Sequence, residues 1–377
     1  MTSALEHGTE DTPGRLGAVL RAAGSPQPVA LGRHGPWLAT TSGQARRVLT
    51  DPLSFDFPSD VSRRLVPEGS GQGRSPHALF APLDRDRAAR ATEVLGHELV
   101  AGLDVAMGCE VDAMLLLRRP MARATVAATL PGLGAATRDE IADAVLGWVD
   151  ALGPVISAAR PPGRWSRARR AEDAALTRLV ALLADLDDPA PASTAALLAA
   201  GTQVPIAAGA WLLVALAERP DLQQRLASGE VEPVSVVWEV LRLTPPTWIT
   251  ARVTTACVDL AGVRLPAGSV VLVSPLLLGR LDDLVPSAGD ELEEDRGSFC
   301  PDRWEGSRVR PGSWLPFGAG PHACPGRSVG MAQLVALATW AGQKHLRLAA
   351  PAVLDQSRGI FPRPASIVVG LRDEVER

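Results

Sequence analysis

The stretch "PFGAGPHACPG" at 316–326 sets one of only four cysteines, Cys324, in a glycine-rich loop directly before a helix-like run, "RSVGMAQLVALATWAG". A thiolate at the start of a helix lies at the positive end of the helix dipole, which lowers its pKa and favours metal ligation. Gly318, Gly320 and Gly326 open backbone conformations closed to other residues and let a flat group come close. Backbone N–H groups in such a loop can point at the sulfur and tune its electron donation. A cysteine in a glycine-rich loop is, taken alone, more often structural than catalytic. The full spacing Phe-x-x-Gly-x-x-x-Cys-x-Gly, running from Phe317 to Gly326, is much rarer by chance.

Two further stretches carry charge in a suggestive order. "WEVLRLTPP" holds Glu239 and Arg242 three residues apart on a helix, and "FCPDRWEG" holds Arg303. An i,i+3 ion pair is common on helix surfaces and means little by itself. The other cysteines, Cys109, Cys257 and Cys300, are scattered and form no CxxC pair, so neither a disulfide framework nor a zinc site is indicated and a reducing cytoplasm fits.

The elements that must position these residues are mostly helices. Helical patterns cover 84–107, 138–159, 167–186, the alanine-rich run from 195 to 220, and 234–243, separated by Pro and Gly clusters. Strand-like pieces come at 28–41 and at 249–276, the latter with a tight "LPAGS" turn, and a strand pair closes the chain. "PEGSGQGRS" at 67–75 reads as a flexible surface loop, and an irregular acidic stretch leads into the cysteine loop. No repeat and no linker stands out, so residues 1–377 read as a single domain, mostly α with a small β-sheet region.

Composition excludes little else. A net charge of −4 gives no reason to expect nucleic acid as a partner, and the polar, acidic N-terminus is not a secretory leader. The apolar run at 195–220 is long enough to span a membrane, but Gln203, Pro205 and its alanine content favour a buried helix. The single lysine, Lys344, and the absence of tyrosine reflect codon bias rather than function.

Taken in order, these stretches resemble the cytochrome P450 family, and the resemblance covers nearly the whole chain. "FGAGPHACPG" is similar to the family's heme-thiolate loop, which makes Cys324 the axial iron ligand and heme b the cofactor. The resemblance implies a buried triad of Glu239, Arg242 and Arg303. It implies heme propionate contacts from His322 and Arg252, with Arg87 or Arg90 as a third, because the family's early-helix histidine is missing from "LDRDRAAR". Phe317, Gly318 and Gly326 shape the loop, and Trp248 and Ile249 match substrate-contact positions. His7, His34, His77, His97 and His345 read as surface residues.

The resemblance breaks in the alanine-rich helix. The family pattern there is Ala-Gly-x-Asp/Glu-Thr, and Ala200, Gly201 and Pro220 keep its register, with Trp211 in step. Gln203 then stands where the acid belongs, Val204 where the threonine belongs, and Pro205 follows. Acid and alcohol together organise proton delivery during oxygen cleavage, and valine and glutamine cannot. Thr202 points about 100° away from Gln203 on a helix and is a poor substitute. Pro205 removes a helical N–H and should kink or open the helix. Ala200, Gly201, Gln203 and Val204 are thus the candidate catalytic segment.

Two expectations follow for the reaction. One is an atypical step, such as nitrene-type C–N bond formation on an N-oxygenated substrate. The other is an ordinary O2-dependent monooxygenase, hydroxylating or epoxidising, in which a substrate hydroxyl delivers the proton. Peroxide-driven oxidation is disfavoured because no arginine stands at 202–206. A non-catalytic accessory protein is disfavoured by the complete thiolate loop and triad. The resemblance implies a small secondary-metabolite scaffold as substrate, a separate ferredoxin and ferredoxin reductase for electrons, no membrane and no nucleic acid, and a cytoplasmic monomer.

Overall fold

The computed structural model describes residues 3, 5, 6, 12, 14–58, 80–158, 160, 162–287, 296–306, 312–357 and 359–371. The loop at 67–75 and part of the acidic stretch fall outside them. In chain order the elements are α1 (Gly14–Leu20), β1 (Val29–Ala30), β2 (Trp37–Ala39), α2 (Ser42–Thr50), β3 (Phe55–Asp56), α3 (Arg85–Ala106), β4 (Glu110–Asp112), α4 (Ala113–Thr129), α5 (Ala135–Ile156), α6 (Arg167–Ala184) and α7 (Pro191–Ala217). There follow α8 (Pro220–Ser228), α9 (Pro233–Leu243), β5 (Thr250–Thr254), β6 (Val258–Leu260), β7 (Val263–Leu265), β8 (Val270–Val273), α10 (Pro275–Leu278), α11 (Arg327–Gly342), β9 (Lys344–Leu348), β10 (Leu354–Asp355), β11 (Phe361–Pro362) and β12 (Ser366–Leu371). Short 3₁₀ turns at Pro301–Trp304 and Gly320–His322 interrupt the loop between α10 and α11. The architecture is mainly helical with small sheets.

Spatially the residues form two compact units, each drawn from two stretches of chain: residues 1–81 with 238–325, and residues 82–237 with 326–377. The first unit is organised by a five-stranded sheet in the order β1-β2-β8-β5-β3. β2 and β8 run parallel, pairing Leu38 with Leu272, while β5 runs antiparallel to β8 and pairs Arg252 with Val271. The "LPAGS" turn lies between β7 and β8, and Gly268 takes a positive φ of 83° within it. Ser274 caps α10: its Oγ accepts from Leu277 N at 3.3 Å and donates to the Trp248 carbonyl at 2.7 Å. That pair ties the start of β5 to the end of β8.

In the second unit α7 is the core helix. From Pro205 to Ala217 every residue is buried, which is why its sequence shows no polar face. It is long and apolar enough to cross a membrane by length and composition, yet 72% of its most apolar window is buried within the protein. α4 and α11 pack on it. Gly209 leaves room for both: a Cβ there would lie 2.9 Å from Leu117 Cδ1 of α4 and from Leu337 Cδ2 of α11. α4 was not legible as a separate helix because Pro120 interrupts its pattern; Asp112 caps it, accepting from Leu115 N at 3.0 Å. Pro205 does not end α7, which is one continuous helix from Pro191 to Ala217.

Candidate active site

The cysteine loop belongs to the first unit, and its backbone is unusual. Leu315, Gly318 and Gly320 all take positive φ, at 59°, 68° and 72°. The chain turns at each, and Cys324 N donates to Phe317 O at 2.8 Å, which closes the loop under the thiol-bearing residue. Gly320 is held against α2. A Cβ there would lie 2.4 Å from the Leu49 carbonyl oxygen, so only glycine satisfies both the φ and the space. Cys324 is exposed, stands three residues before α11 begins, and no disulfide joins any of the four cysteines.

Aromatic rings buttress the loop. Phe317 meets Trp238 edge-on at 6.2 Å, Trp238 meets the fully buried Trp314 at 5.6 Å, and Trp314 lies 4.8 Å from Trp304. Trp304 Nε1 in turn donates to Glu239 Oε2 at 3.0 Å. The sequence reading passed over these tryptophans; the pattern that could have flagged them is Trp238 beside Glu239 and Trp304 beside Arg303.

The structure brings Glu239, Arg242 and Arg303 together with no solvent access to the carboxylate. Oε1 of Glu239 accepts from Arg242 Nη2 at 2.5 Å, Arg303 Nε at 3.0 Å and Cys300 N at 2.8 Å, and Oε2 accepts from Arg242 Nε at 2.9 Å. Burial alone would push the Glu239 carboxyl up; Arg242 foremost, then Arg303 and the Cys300 N–H, outweigh it and hold the pKa below the ordinary carboxylate value. Arg242 also donates to the carbonyls of Gly279, Arg296 and Ser298, so α9 is tied to the end of α10 and to the 296–298 segment of the irregular loop.

Arg252 and His322 also converge. The Arg252 guanidinium lies 3.8 Å over the Phe57 ring, and the same ring meets His322 edge-on at 4.6 Å. Arg252 is 4% exposed. It donates to Thr250 Oγ1 at 3.3 Å and to the Ala251 carbonyl at 2.9 Å, but makes no ion pair among the described residues. Burial lowers its pKa, with Asp56 opposing at longer range. A buried guanidinium without a bridging carboxylate is a cation short of its counter-ion. An acidic group carried by a prosthetic molecule would supply one, so these residues fit a heme with its propionates. Trp248 is buried and Ile249 half-buried on the approach to β5.

Residues 234–341 match the family model for cytochrome P450. Over 94% of its length the chain also superposes on the crystal structure of a 6-coordinated cytochrome P450 from Thermus thermophilus, with a TM-score of 0.71, 21% identity and 98% of that chain covered. The chain has the cytochrome P450 fold, and residues 234–341 resemble that family in sequence. Among curated relatives, cyclooctatin synthase of Streptomyces melanosporofaciens is 42% identical over 113 residues, which is 29% of this chain and 23% of the relative. Pentalenene oxygenase of Streptomyces avermitilis is 31% identical over 150 residues, 34% of this chain and 31% of the relative. The matches thus span well under half the length of those relatives.

The remaining candidates belong to the second unit. On α7, Ala200 and Val204 are exposed, Gly201 and Gln203 half-buried, and Thr202 fully buried with its hydroxyl unpaired. Thr202 therefore faces away from the side of α7 that carries Gln203 and Val204. On α3, Arg87 Nη1 donates to the carbonyls of Ala128 and Thr129, at 3.3 and 3.1 Å, where the helix dipole of α4 is negative. Arg90 is exposed and lines a cleft with His97 and Arg138. The two arginines thus divide: Arg87 is engaged on α4, and Arg90 faces solvent.

Proposed function

We propose that the protein is a heme-thiolate oxidoreductase that modifies a small, largely apolar organic scaffold. The observation that carries this reading is the stack of Arg252, Phe57 and His322 beside the Cys324 loop, which gathers a buried cation, a ring edge and a thiol within one unit. Cys324 would hold the iron, and Arg252 and His322 the propionates. A heme so bound supplies one-electron redox chemistry and oxidant activation at a thiolate-ligated iron. The chain's own contribution is to fix the sulfur by the Cys324–Phe317 backbone bond and to exclude a second, protein-derived anion from Arg252. We read the chain as one functional domain, since each unit is assembled from two interleaved stretches. Electrons would come from a separate ferredoxin and its reductase.

In the α7 segment neither Gln203 nor Val204 can carry a proton as a carboxylate–hydroxyl pair does, and the Thr202 hydroxyl faces the core. The reading best supported is an oxygenase whose substrate brings the missing hydroxyl, in keeping with the relative named pentalenene oxygenase. The same substitution favours a second reading, C–N bond formation from an N-oxygenated substrate, in which the substrate's leaving group makes dioxygen unnecessary.

The reduced, CO-bound spectrum tests the first claim. A Soret band shifted far to the red is expected, and its loss in Cys324→Ser. A protein that stays colourless after reconstitution with heme, or whose spectrum ignores Cys324→Ser, ends the heme-thiolate reading. Product analysis under labelled dioxygen separates the two reactions: label in the product selects the oxygenase, and an unlabelled product with a new C–N bond selects the other.

A further inference from the structure

Pro205 lies in the body of α7 and carries no N–H, so the helical donor to the carbonyl four residues earlier, that of Gly201, is missing. A buried carbonyl without a donor is costly, and a native structure finds it another. Here the partner comes from a different helix. Thr125 Oγ1 of α4 donates to Gly201 O at 2.9 Å. Behind it, Gln333 Nε2 of α11 approaches Thr125 Oγ1 at 3.5 Å. All three residues are in the second unit, with Thr125 at 4% and Gln333 at 0% exposure.

Three details show that the contact is built for this purpose. Several threonines elsewhere in the chain's helices turn their hydroxyl back on their own i−4 carbonyl, as Thr92 does to Ala88, Thr177 to Asp173 and Thr339 to Val335, while those of Thr129 and Thr202 have no partner among the described residues. Thr125 instead reaches across to α7. Second, position 201 is glycine, and a Cβ there would lie 3.0 Å from Thr125 Cγ2, tight enough to press the threonine away. Third, Gln333 has no partner for Oε1 among the described residues, so its buried amide is engaged only through the N–H turned toward Thr125.

We infer that Thr125 is a positioning residue: its hydroxyl stands in for the missing Pro205 N–H and, backed by Gln333, fixes the backbone of α7 across Gly201–Pro205. That segment bears Gln203 and Val204, so their placement depends on a helix outside the motif. The inference needs no heme and stands or falls separately from the proposed function.

A double-mutant cycle on the full chain tests it. In the native background Thr125→Val should lower the folding equilibrium constant about 10-fold or more, because a buried carbonyl loses its donor. In Pro205→Ala, where residue 205 regains its N–H, the same change should cost less than about threefold. Thr125→Ser keeps the hydroxyl and should stay within about threefold of native. Amides of Thr202, Gln203, Val204 and Ile206 should exchange hydrogen faster in Thr125→Val but not in the double variant. Equal losses in both backgrounds would overturn the inference. If Thr125→Val does not fold, hydrogen exchange in Thr125→Ser decides: native-like protection of α7 upholds the hydroxyl's role, and a loss of protection refutes it.

Discussion

Replacing Glu239 with glutamine removes one charge from a buried, densely hydrogen-bonded site and leaves the shape nearly unchanged. Five donors converge on its two oxygens, and three belong to two guanidiniums that are themselves buried, Arg242 at 0% and Arg303 at 4% exposure. A glutamine can turn only one oxygen to this set, so its NH2 must face N–H groups that now lack an acceptor. Breaking one side of a buried ion pair costs about 3–5 kcal/mol. The carbonyls of Gly279, Arg296 and Ser298 still solvate Arg242, and those of Pro286 and Ser298 still solvate Arg303, which places the loss near the lower end. Urea unfolding of Glu239→Gln should therefore show a loss of about 3 kcal/mol at neutral pH, roughly 100-fold in the folding constant, at an unchanged m-value. The Glu239 carboxyl titrates lower in the folded protein than its ordinary 4.5. Its stabilisation is thus complete above that pH and drains as pH falls through the folded value, so native and variant stabilities should converge in acid. A loss under about 1 kcal/mol, the size seen for exposed pairs, would refute the reasoning by showing that water reaches the site.

Three other outcomes are expected. Gly320→Ala puts a Cβ 2.4 Å from the Leu49 carbonyl oxygen at a φ of +72°, so urea unfolding should register at least the ~1–2 kcal/mol of a left-handed residue, and the Soret band of reconstituted protein should move. Arg252→Gln removes a buried cation that has no ion-pair partner among the described residues: heme-free protein should be as stable as native or more so, while heme transfer to apomyoglobin should speed up. Gly209→Val overpacks the gap between Leu117 and Leu337 and should cost about 1–3 kcal/mol by thermal denaturation.

How much of this was legible in the sequence depended on whether a residue's partner lay nearby in the chain or in a known motif. The helix spans of α3, α5, α6, α7 and α9 followed from apolar periodicity, and the "LPAGS" turn from its glycine. Glu239 and Arg242 share one helix face, so their pairing was readable; that Cys300 N and Trp304 Nε1 complete the carboxylate's shell was not, because both arrive through an irregular loop with no periodicity. Phe57 was equally hidden. It follows the two-residue strand β3, which pairs Asp56 with Val253, and only this register sets its ring beside Arg252. Arg87 and Arg90 looked interchangeable as basic residues on one helix. They differ because α4 ends beside Arg87 and gives its guanidinium two carbonyls.

Pro205 marks the boundary between the two kinds of knowledge. A proline in an apolar run announces a missing donor from sequence alone, and the expected consequence is an opened helix. What sequence cannot supply is the donor that replaces it, since Thr125 precedes Gly201 by 76 positions and Gln333 follows Thr125 by 208. The gap between expectation and structure is therefore a matter of accounting. α7 stays continuous through Pro205 while its orphaned carbonyl accepts a hydroxyl from α4. The helix that carries Gln203 and Val204 thus has a hydroxyl against its backbone, but one bonded to a carbonyl and committed to holding the chain. On the oxygenase reading proposed above the substrate would supply the proton, which is what labelled dioxygen and substrates lacking a hydroxyl can decide.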